Sequence, residues 1–174
     1  MGPALVTPPV VTLDPGLRDL RAADHLLLAL AAELDLPGGT FGCTHLVRGD
    51  RPRVAVSLAL PTDAAFTAVR DRLAAHPMAY GRPDAVGRAV LFPGAAALTG
   101  TTTVGDVLAT SAIDRVTVLG TPGRPGAATR ILTRGHVRPQ WQQDGDLVLV
   151  CMPAAGGTLV PFEVPDPTPC CADH

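Results

Sequence analysis

Two amphipathic helical stretches separated by strand-like runs constrain the fold of this chain more than any other feature of the sequence. Apolar residues recur at helical spacing over 15–35, where Pro37-Gly38-Gly39 ends the pattern, and again over 63–75, where His76-Pro77 ends it. Strand-like runs flank them at 4–12, 41–48, 53–60 and 88–93. The predicted order is strand, helix, strand, strand, helix, strand.

The residues between these stretches support that order. Asp14 and Pro15 suit the N-cap and the first position of the first helix, and Thr62 or Asp63 can cap the second. The segment 49–52, Gly-Asp-Arg-Pro, has the composition of a hairpin turn. The βαββαβ order predicts a ferredoxin-like unit, in which both helices lie on one face of a four-stranded antiparallel sheet.

The second half of the chain follows a different plan. A short helix is predicted over 103–110, and turns rich in Gly and Pro separate the runs after it. These strand-like runs are 113–119, 128–138, 147–152 and 158–164. Because Asp144-Gly145 is a hairpin signal, this half predicts an antiparallel β-meander.

Length and composition set the predicted domain organisation. With 174 residues, 47% of them apolar, the chain can bury a core without disulfides or metal. We predict an α+β protein with a ferredoxin-like unit over 1–98, a short helix with an antiparallel β-rich half packed on that unit over 99–164, and a Pro- and Cys-rich tail over 165–174. The sheet face that such a unit leaves uncovered favours a homodimer.

The residue types that are absent exclude several function classes. All 14 basic residues are Arg, and the chain has neither Lys nor Asn, a bias typical of a GC-rich bacterial coding sequence. Without Lys there is no Schiff-base nucleophile and no P-loop lysine. The net charge of −2 and the aromatic content of 3% argue against a general nucleic-acid binder.

The N-terminus and the hydropathy pattern predict a soluble cytoplasmic protein with no membrane segment. Residues 1–6 carry no basic side chain, unlike a signal peptide, and the longest apolar helical stretch, 22–36, is short and charged. In the cytoplasm the four cysteines are expected to be reduced thiols, unless they bind metal or do redox chemistry.

The C-terminal sequence Cys170-Cys171-Ala172-Asp173-His174 is the most unusual motif in the chain. Thiolate and imidazole groups are ligands for zinc or copper. Further ligands of this kind occur at Cys43 and His45, which share a face if they lie on a strand, and at Cys151. One hypothesis is a zinc or copper site built from Cys170, Cys171, His174, Cys43, His45 and Cys151.

Two alternatives for the cysteines stay open, because adjacent side chains of an extended chain diverge and chelate one ion poorly. In the first, Cys43 and Cys151 are small core residues and the tail is a chain end without regular structure. In the second, Cys170 and Cys171 do thiol redox chemistry as a vicinal or mixed disulfide.

A stripe of basic side chains is predicted along the strand 128–138. Its even-numbered members share one sheet face and are Arg130, Arg134, His136 and Arg138. Guanidinium forks bind carboxylate or phosphate groups bidentately, so the stripe predicts a site for an anionic ligand or partner. The alternative is a solvated face that forms weak ion pairs with Asp144 and Asp146.

The segment 76–84 contains the only tyrosine of the chain. His76, Tyr80 and Asp84 have the chemistry of an acid–base set, which makes His76 and Tyr80 weak catalytic candidates. A Pro- and Gly-rich connector with one anchoring aromatic explains the same residues.

Three functions follow from these features. The first is a ligand- or protein-binding module that holds an anionic group on the arginine-bearing face. The second is a zinc- or copper-binding protein that uses the C-terminal motif. The third is a small enzyme with its site between the two halves.

Overall fold

A computed structural model describes residues 8–76 and 87–165 of the chain. These residues form ten strands and three α-helices, which confirms the mixed α+β class. In chain order the elements are β1 (Val10–Leu17), α1 (Leu20–Leu34), β2 (Phe41–Val47), β3 (Arg53–Ala59), α2 (Asp63–Arg72), β4 (Arg88–Leu91), β5 (Thr101–Thr103), α3 (Val104–Thr110), β6 (Arg115–Val118), β7 (Arg130–Leu132), β8 (Gln140–Trp141), β9 (Leu147–Ala154) and β10 (Thr158–Pro161). In this part of the chain no helix is long and apolar enough to cross a bilayer.

The chain divides into two compact units, Met1–Pro93 and Gly94–His174. The first unit contains β1 to β4 with α1 and α2. The second contains β5 to β10 with the short helix α3.

In the first unit four strands pair in the order β1-β3-β2-β4, and every neighbouring pair is antiparallel. The element order is the predicted βαββαβ, and the predicted β2–β3 hairpin is present. However, β4 pairs with β2, whereas a ferredoxin-like unit adds its fourth strand beside the first. The finer ferredoxin-like assignment is therefore not confirmed.

Both helices of the first unit pack on one apolar core. Leu27, Leu30 and Leu34 line the buried side of α1, and Val69 and Leu73 extend the core from α2 and the residue after it. Alternate residues of the central strand β3 complete this core; they are Val54, Val56 and Leu58. Burying each of these side chains stabilises the fold by about 1.5–3 kcal/mol.

The first helix begins five residues later than the sequence pattern predicts. Asp19 caps it by accepting a hydrogen bond from the Ala22 amide at 2.8 Å, and the helix starts at Leu20. Asp14 and Pro15 belong to β1 instead, where the register with β3 shifts between Leu13 and Leu17. A strand pairing has overridden a local helix-start signal.

A buried ion pair connects α1 to β4. The Arg88 Nη2 atom lies 3.1 Å from Asp24 Oδ2, and Nη1 contacts the other carboxylate oxygen. The two side chains are only 9% and 8% exposed. Thr44 adds a hydroxyl 3.5 Å from Arg88 Nη1. The pairing satisfies two charges that would otherwise be costly to bury.

The second unit contains parallel as well as antiparallel strand pairs. Its strands follow the order β8-β9-β10-β7-β5, and β6 pairs with β9. The predicted short helix is present as α3, capped by Thr103, whose hydroxyl accepts the Asp106 amide at 3.1 Å. The predicted antiparallel meander is wrong, because β6 runs parallel to β9 and β7 runs parallel to β10.

Candidate functional site

Cys43 and His45 lie side by side on β2, as their spacing predicts. Both side chains are buried, and His45 Nε2 is 2.7 Å from the hydroxyl of Ser57 on β3. Gly87 packs on this pair so closely that a Cβ there would meet His45 Cε1 at 2.7 Å. The close packing of these residues suits a structural role in the sheet.

Cys151 lies in the second unit, on β9, and its side chain is fully buried. Burial raises the pKa of this thiol from 9.0 to about 12, so it stays protonated at neutral pH. A redox-active cysteine reacts as the thiolate, so the raised pKa argues against redox chemistry at Cys151. Cys151 therefore fits the alternative in which it is an ordinary core residue.

The remaining members of the predicted metal site, Cys170, Cys171 and His174, lie outside the described residues. Over 8–76 and 87–165, no three His, Cys, Asp or Glu side chains come close enough together to hold a metal ion. Tyr80 and Asp84 also lie outside the described residues, while His76 is exposed just after α2.

The arginine stripe does not form as one strand. The strand β7 ends at Leu132, and Arg134 (φ 53°) and Gly135 (φ 65°) then adopt left-handed conformations. The His136 amide donates to the Thr133 carbonyl at 3.0 Å, which closes the turn. Arg130 is exposed on β7 before the break and Arg134 is exposed within it, so the two do not share a strand face with His136 and Arg138.

The acidic residues expected opposite the stripe have another partner. Arg115 Nη2 lies 2.8 Å from Asp144 Oδ2, and Arg115 Nε lies 2.9 Å from Asp146 Oδ2. The predicted hairpin at Asp144-Gly145 is present and brings β8 back antiparallel to β9. Asp144 and Asp146 therefore form ion pairs with Arg115 at the start of β6 rather than with the predicted arginine stripe.

A cleft of about 310 Å³ in the second unit contains the last residue of the stripe. It is lined by Leu119, Arg138, Gln140, Val150, Phe162 and Glu163. This volume is at the lower end for small-molecule sites in proteins. The cleft combines an apolar wall with a guanidinium, a carboxylate and an amide, and we call it the Arg138 cleft.

The apolar wall of the Arg138 cleft is built by three neighbouring segments. The Leu119 amide donates to the Cys151 carbonyl at 2.9 Å, and the Phe162 amide donates to the Val150 carbonyl at 2.9 Å. Both residues are thus fixed to β9 by backbone hydrogen bonds. The two residues nevertheless remain 46% and 55% exposed.

The charged side of the Arg138 cleft is positioned by a histidine. His136 Nε2 lies 2.9 Å from Glu163 Oε1, and the side chains of His136 and Glu163 are 14% and 31% exposed. Arg138 Nη1 donates to the Val137 carbonyl at 3.1 Å. His136 and Arg138 follow the turn at Arg134-Gly135 and flank the buried Val137; His136 contacts Glu163, and Arg138 lines the same cleft as Glu163.

Arg138 and His136 are members of the stripe predicted from the sequence, whereas no sequence pattern indicated Leu119, Phe162 or Glu163 as site residues. Leu119 follows β6 and Phe162 follows β10, so only the strand pairing of the second unit joins them. One local signal was available, since Glu163 is one of only two Glu in the chain and follows a Phe at a strand end.

A second cleft, of about 250 Å³, lies beside the Pro- and Gly-rich connector of the second unit. Pro122, Pro125 and Pro153 contribute to its walls, together with the side chain of Arg124. None of the residues that line it is acidic. This cleft and the Arg138 cleft therefore differ in charge as well as in size.

Comparison with known proteins gives no further assignment. No family model matches this chain, and neither a curated protein nor a solved structure matches it.

Proposed function

We propose that this protein is a small-ligand-binding module and that Arg138 holds an anionic group of its ligand. The observation that carries the proposal is the Arg138 cleft, where the guanidinium lies beside the exposed side chains of Leu119 and Phe162. A donor-rich cation beside an apolar wall suits a carboxylate that has an apolar substituent. Of the three arginines on the face predicted from the sequence, only Arg138 contacts the ligand in this proposal.

The test is a titration with phenylacetate, a carboxylate attached to an aromatic ring, followed by amide chemical shifts in NMR spectra. We expect shifts at Leu119, Gln140 and Phe162 and about tenfold weaker binding by Arg138→Gln, because a charge-assisted hydrogen bond is lost. Arg130→Gln is the matched control, since Arg130 is exposed on β7 away from the cleft lining. Equal loss in both variants, or no shifts at the cleft, would refute the proposal.

Metal binding by the C-terminal motif stays as the alternative function. Its support is the concentration of Cys170, Cys171 and His174 in five residues and the adjacent pair of Cys43 and His45 in the first unit. Elemental analysis of freshly purified protein tests it. About one equivalent of zinc or copper that is lost in the Cys170→Ser/Cys171→Ser variant supports a metal site, and metal-free protein refutes it.

The other sequence-based expectations remain proposals of lower specificity. A homodimer, a cytoplasmic location and little affinity for nucleic acid are consistent with the composition. A catalytic role for His76 or Tyr80 also stays a proposal; Tyr80 lies outside the described residues, and the His76 amide donates to the Leu73 carbonyl at 2.8 Å.

A further inference from the structure

We infer that the ligand of the Arg138 cleft is a zwitterion with one apolar substituent, of the chemical class of an α-amino acid that has an aliphatic or aromatic side chain. This inference rests on the proposed function, because it names the class of ligand for the same cleft. It adds to that function a second charged contact, to Glu163, and an apolar contact to Leu119 and Phe162.

The Arg138 cleft is lined by one basic and one acidic side chain, Arg138 and Glu163. Arg138 offers only hydrogen-bond donors and Glu163, when ionised, only acceptors, while Gln140 offers both. A ligand that is purely anionic would approach the Glu163 carboxylate with a like charge. A ligand with a carboxylate and an ammonium group matches both side chains.

The fixed position of Glu163 is the second argument. His136, itself 14% exposed, holds one carboxylate oxygen of Glu163 through a contact of 2.9 Å. Glu163 directly follows Phe162, whose amide donates a hydrogen bond to the Val150 carbonyl on β9. A carboxylate held in this way binds a cation without first losing side-chain freedom, which favours a specific contact over a diffuse one.

The apolar wall is the third argument. Among the described residues, six large apolar residues are exposed, and Leu119 and Phe162 are two of them. Both line the Arg138 cleft together with Val150, which lies on β9, the strand that pairs with β6 and β10. An apolar substituent of the ligand would cover them and remove their surface from water. A small polar zwitterion such as glycine would leave this wall uncovered.

The size of the Arg138 cleft and the residues that line the second cleft also support a zwitterionic ligand. At about 310 Å³ the Arg138 cleft suits a ligand with a single apolar group rather than a dinucleotide. The cleft beside the connector has an arginine and apolar walls but no acid among its lining residues. The pair of opposite charges is therefore a property of the Arg138 cleft that the cleft beside the connector does not share.

The experiment compares L-phenylalanine with analogues that each lack one group, by isothermal titration calorimetry on the full chain. N-acetyl-phenylalanine lacks the ammonium charge, phenylalaninamide lacks the carboxylate, and glycine lacks the apolar group. We expect each analogue to bind about tenfold more weakly than L-phenylalanine, since each loses one charge-assisted or apolar contact. Inorganic phosphate is included to detect simple anion binding.

A pair of variants assigns the ammonium contact. Glu163→Gln should remove most of the preference for L-phenylalanine over its N-acetyl form, whereas Arg138→Gln should remove the preference for L-phenylalanine over its amide. Arg130→Gln should retain both preferences. Each preference is a ratio of two affinities measured on the same variant, so a modest loss of stability lowers both affinities together and leaves the ratio unchanged.

The outcomes separate this inference from the proposed function. If N-acetyl-phenylalanine or phenylacetate binds at the cleft as tightly as L-phenylalanine, the cleft binds carboxylates and the zwitterion is refuted. If phosphate binds there as well as any organic probe, the zwitterion is likewise refuted. If no probe binds, both the inference and the proposed function are overturned.

Discussion

The two units of this protein place similar polar side chains in opposite settings. In the first unit the Asp24–Arg88 pair is buried, with side chains only 8% and 9% exposed. In the second unit Glu163 and Arg138 line an open cleft, beside an apolar wall that is also exposed. The same types of side chain therefore form a buried ion pair in one unit and line a cleft in the other.

The difference teaches that a charged pair identifies a functional site only through its surroundings. His45 and Ser57 are hydrogen-bonded at 2.7 Å in the first unit, which is a distance that a nucleophile and its base would have. Both side chains are buried, however, and Gly87 packs against the imidazole. His136 makes a similar contact with Glu163, but beside a cleft, and there the contact positions a group that a small molecule can reach.

The largest expected effect is on the buried pair of the first unit. Asp24→Ala leaves the Arg88 guanidinium buried without its carboxylate partner, and we expect the free energy of unfolding to fall by about 3–5 kcal/mol. Urea denaturation followed by far-UV circular dichroism measures it. This signal reports mainly the first unit, because α1 and α2 have 15 and 10 residues whereas α3 has 7.

Asp71→Ala is the matched control for that measurement. Asp71 also contacts an arginine, with Arg70 Nη2 at 2.9 Å, but its side chain is 63% exposed. We expect its loss to cost no more than about 1 kcal/mol. Similar costs for Asp24→Ala and Asp71→Ala would contradict the distinction between buried and exposed pairs.

An intermediate effect is expected from Cys151, because its pKa is raised by burial from 9.0 to about 12. Between these values the unfolded chain releases a proton that the folded chain keeps, so stability is full below pH 9 and declines as the pH rises towards 12. The slope should be about 1.4 kcal/mol per pH unit. The absence of Lys leaves few other groups that titrate in this range.

Denaturation of the second unit is followed by the fluorescence of Trp141, the only tryptophan, which lies in β8. Cys151→Ala should flatten the alkaline slope, whatever its effect on stability at neutral pH. An unchanged slope in this variant would show that Cys151 does not cause the alkaline loss of stability.

The smallest effect on stability is expected when the His136–Glu163 contact beside the Arg138 cleft is removed. His136→Ala should cost less than about 1 kcal/mol, because its partner Glu163 is 31% exposed and can be solvated. The same variant should weaken L-phenylalanine binding several-fold, since Glu163 loses its fixed position. His136→Gln, which can still donate to Glu163, should restore part of that affinity.

A stability loss from His136→Ala as large as that from Asp24→Ala would contradict the comparison between the two units. It would show that the His136–Glu163 pair maintains the fold of the second unit rather than the shape of its cleft.

The fold was predictable where local signals and tertiary pairing agree. The β2–β3 hairpin, α2 with its Thr62 cap, and α3 follow from turn residues, caps and helical spacing. The start of α1 was not predictable in this way, because Asp14-Pro15 resembles a helix start but is held in β1, where Leu17 pairs with Val54. The partner of β4 also depends on long-range pairing that no local pattern encodes.

The candidate site was predictable only in part for a related reason. Alternation predicted that His136 and Arg138 share one side of their segment; both are half-buried, on either side of the buried Val137. The predicted strand does not continue through Arg134-Gly135, where both residues adopt left-handed conformations and form a turn, so the single strand face expected to hold all four residues of the stripe does not form. The apolar wall comes from segments that meet only through the pairing of β9 with β6 and β10.

The parallel pairs of the second unit also bear on the order in which the molecule assembles. The β2–β3 hairpin closes locally, with Val47 opposite Arg53, whereas β6 meets β9 only when Arg115 reaches Val148. Closing the longer loop costs more chain entropy before any contact offsets it, and such pairings slow folding. In refolding monitored by pulsed hydrogen exchange, the hairpin amides should gain protection first. The Leu119 and Phe162 amides, which are bonded to β9, should follow, so the Arg138 cleft would be among the last parts of the protein to form.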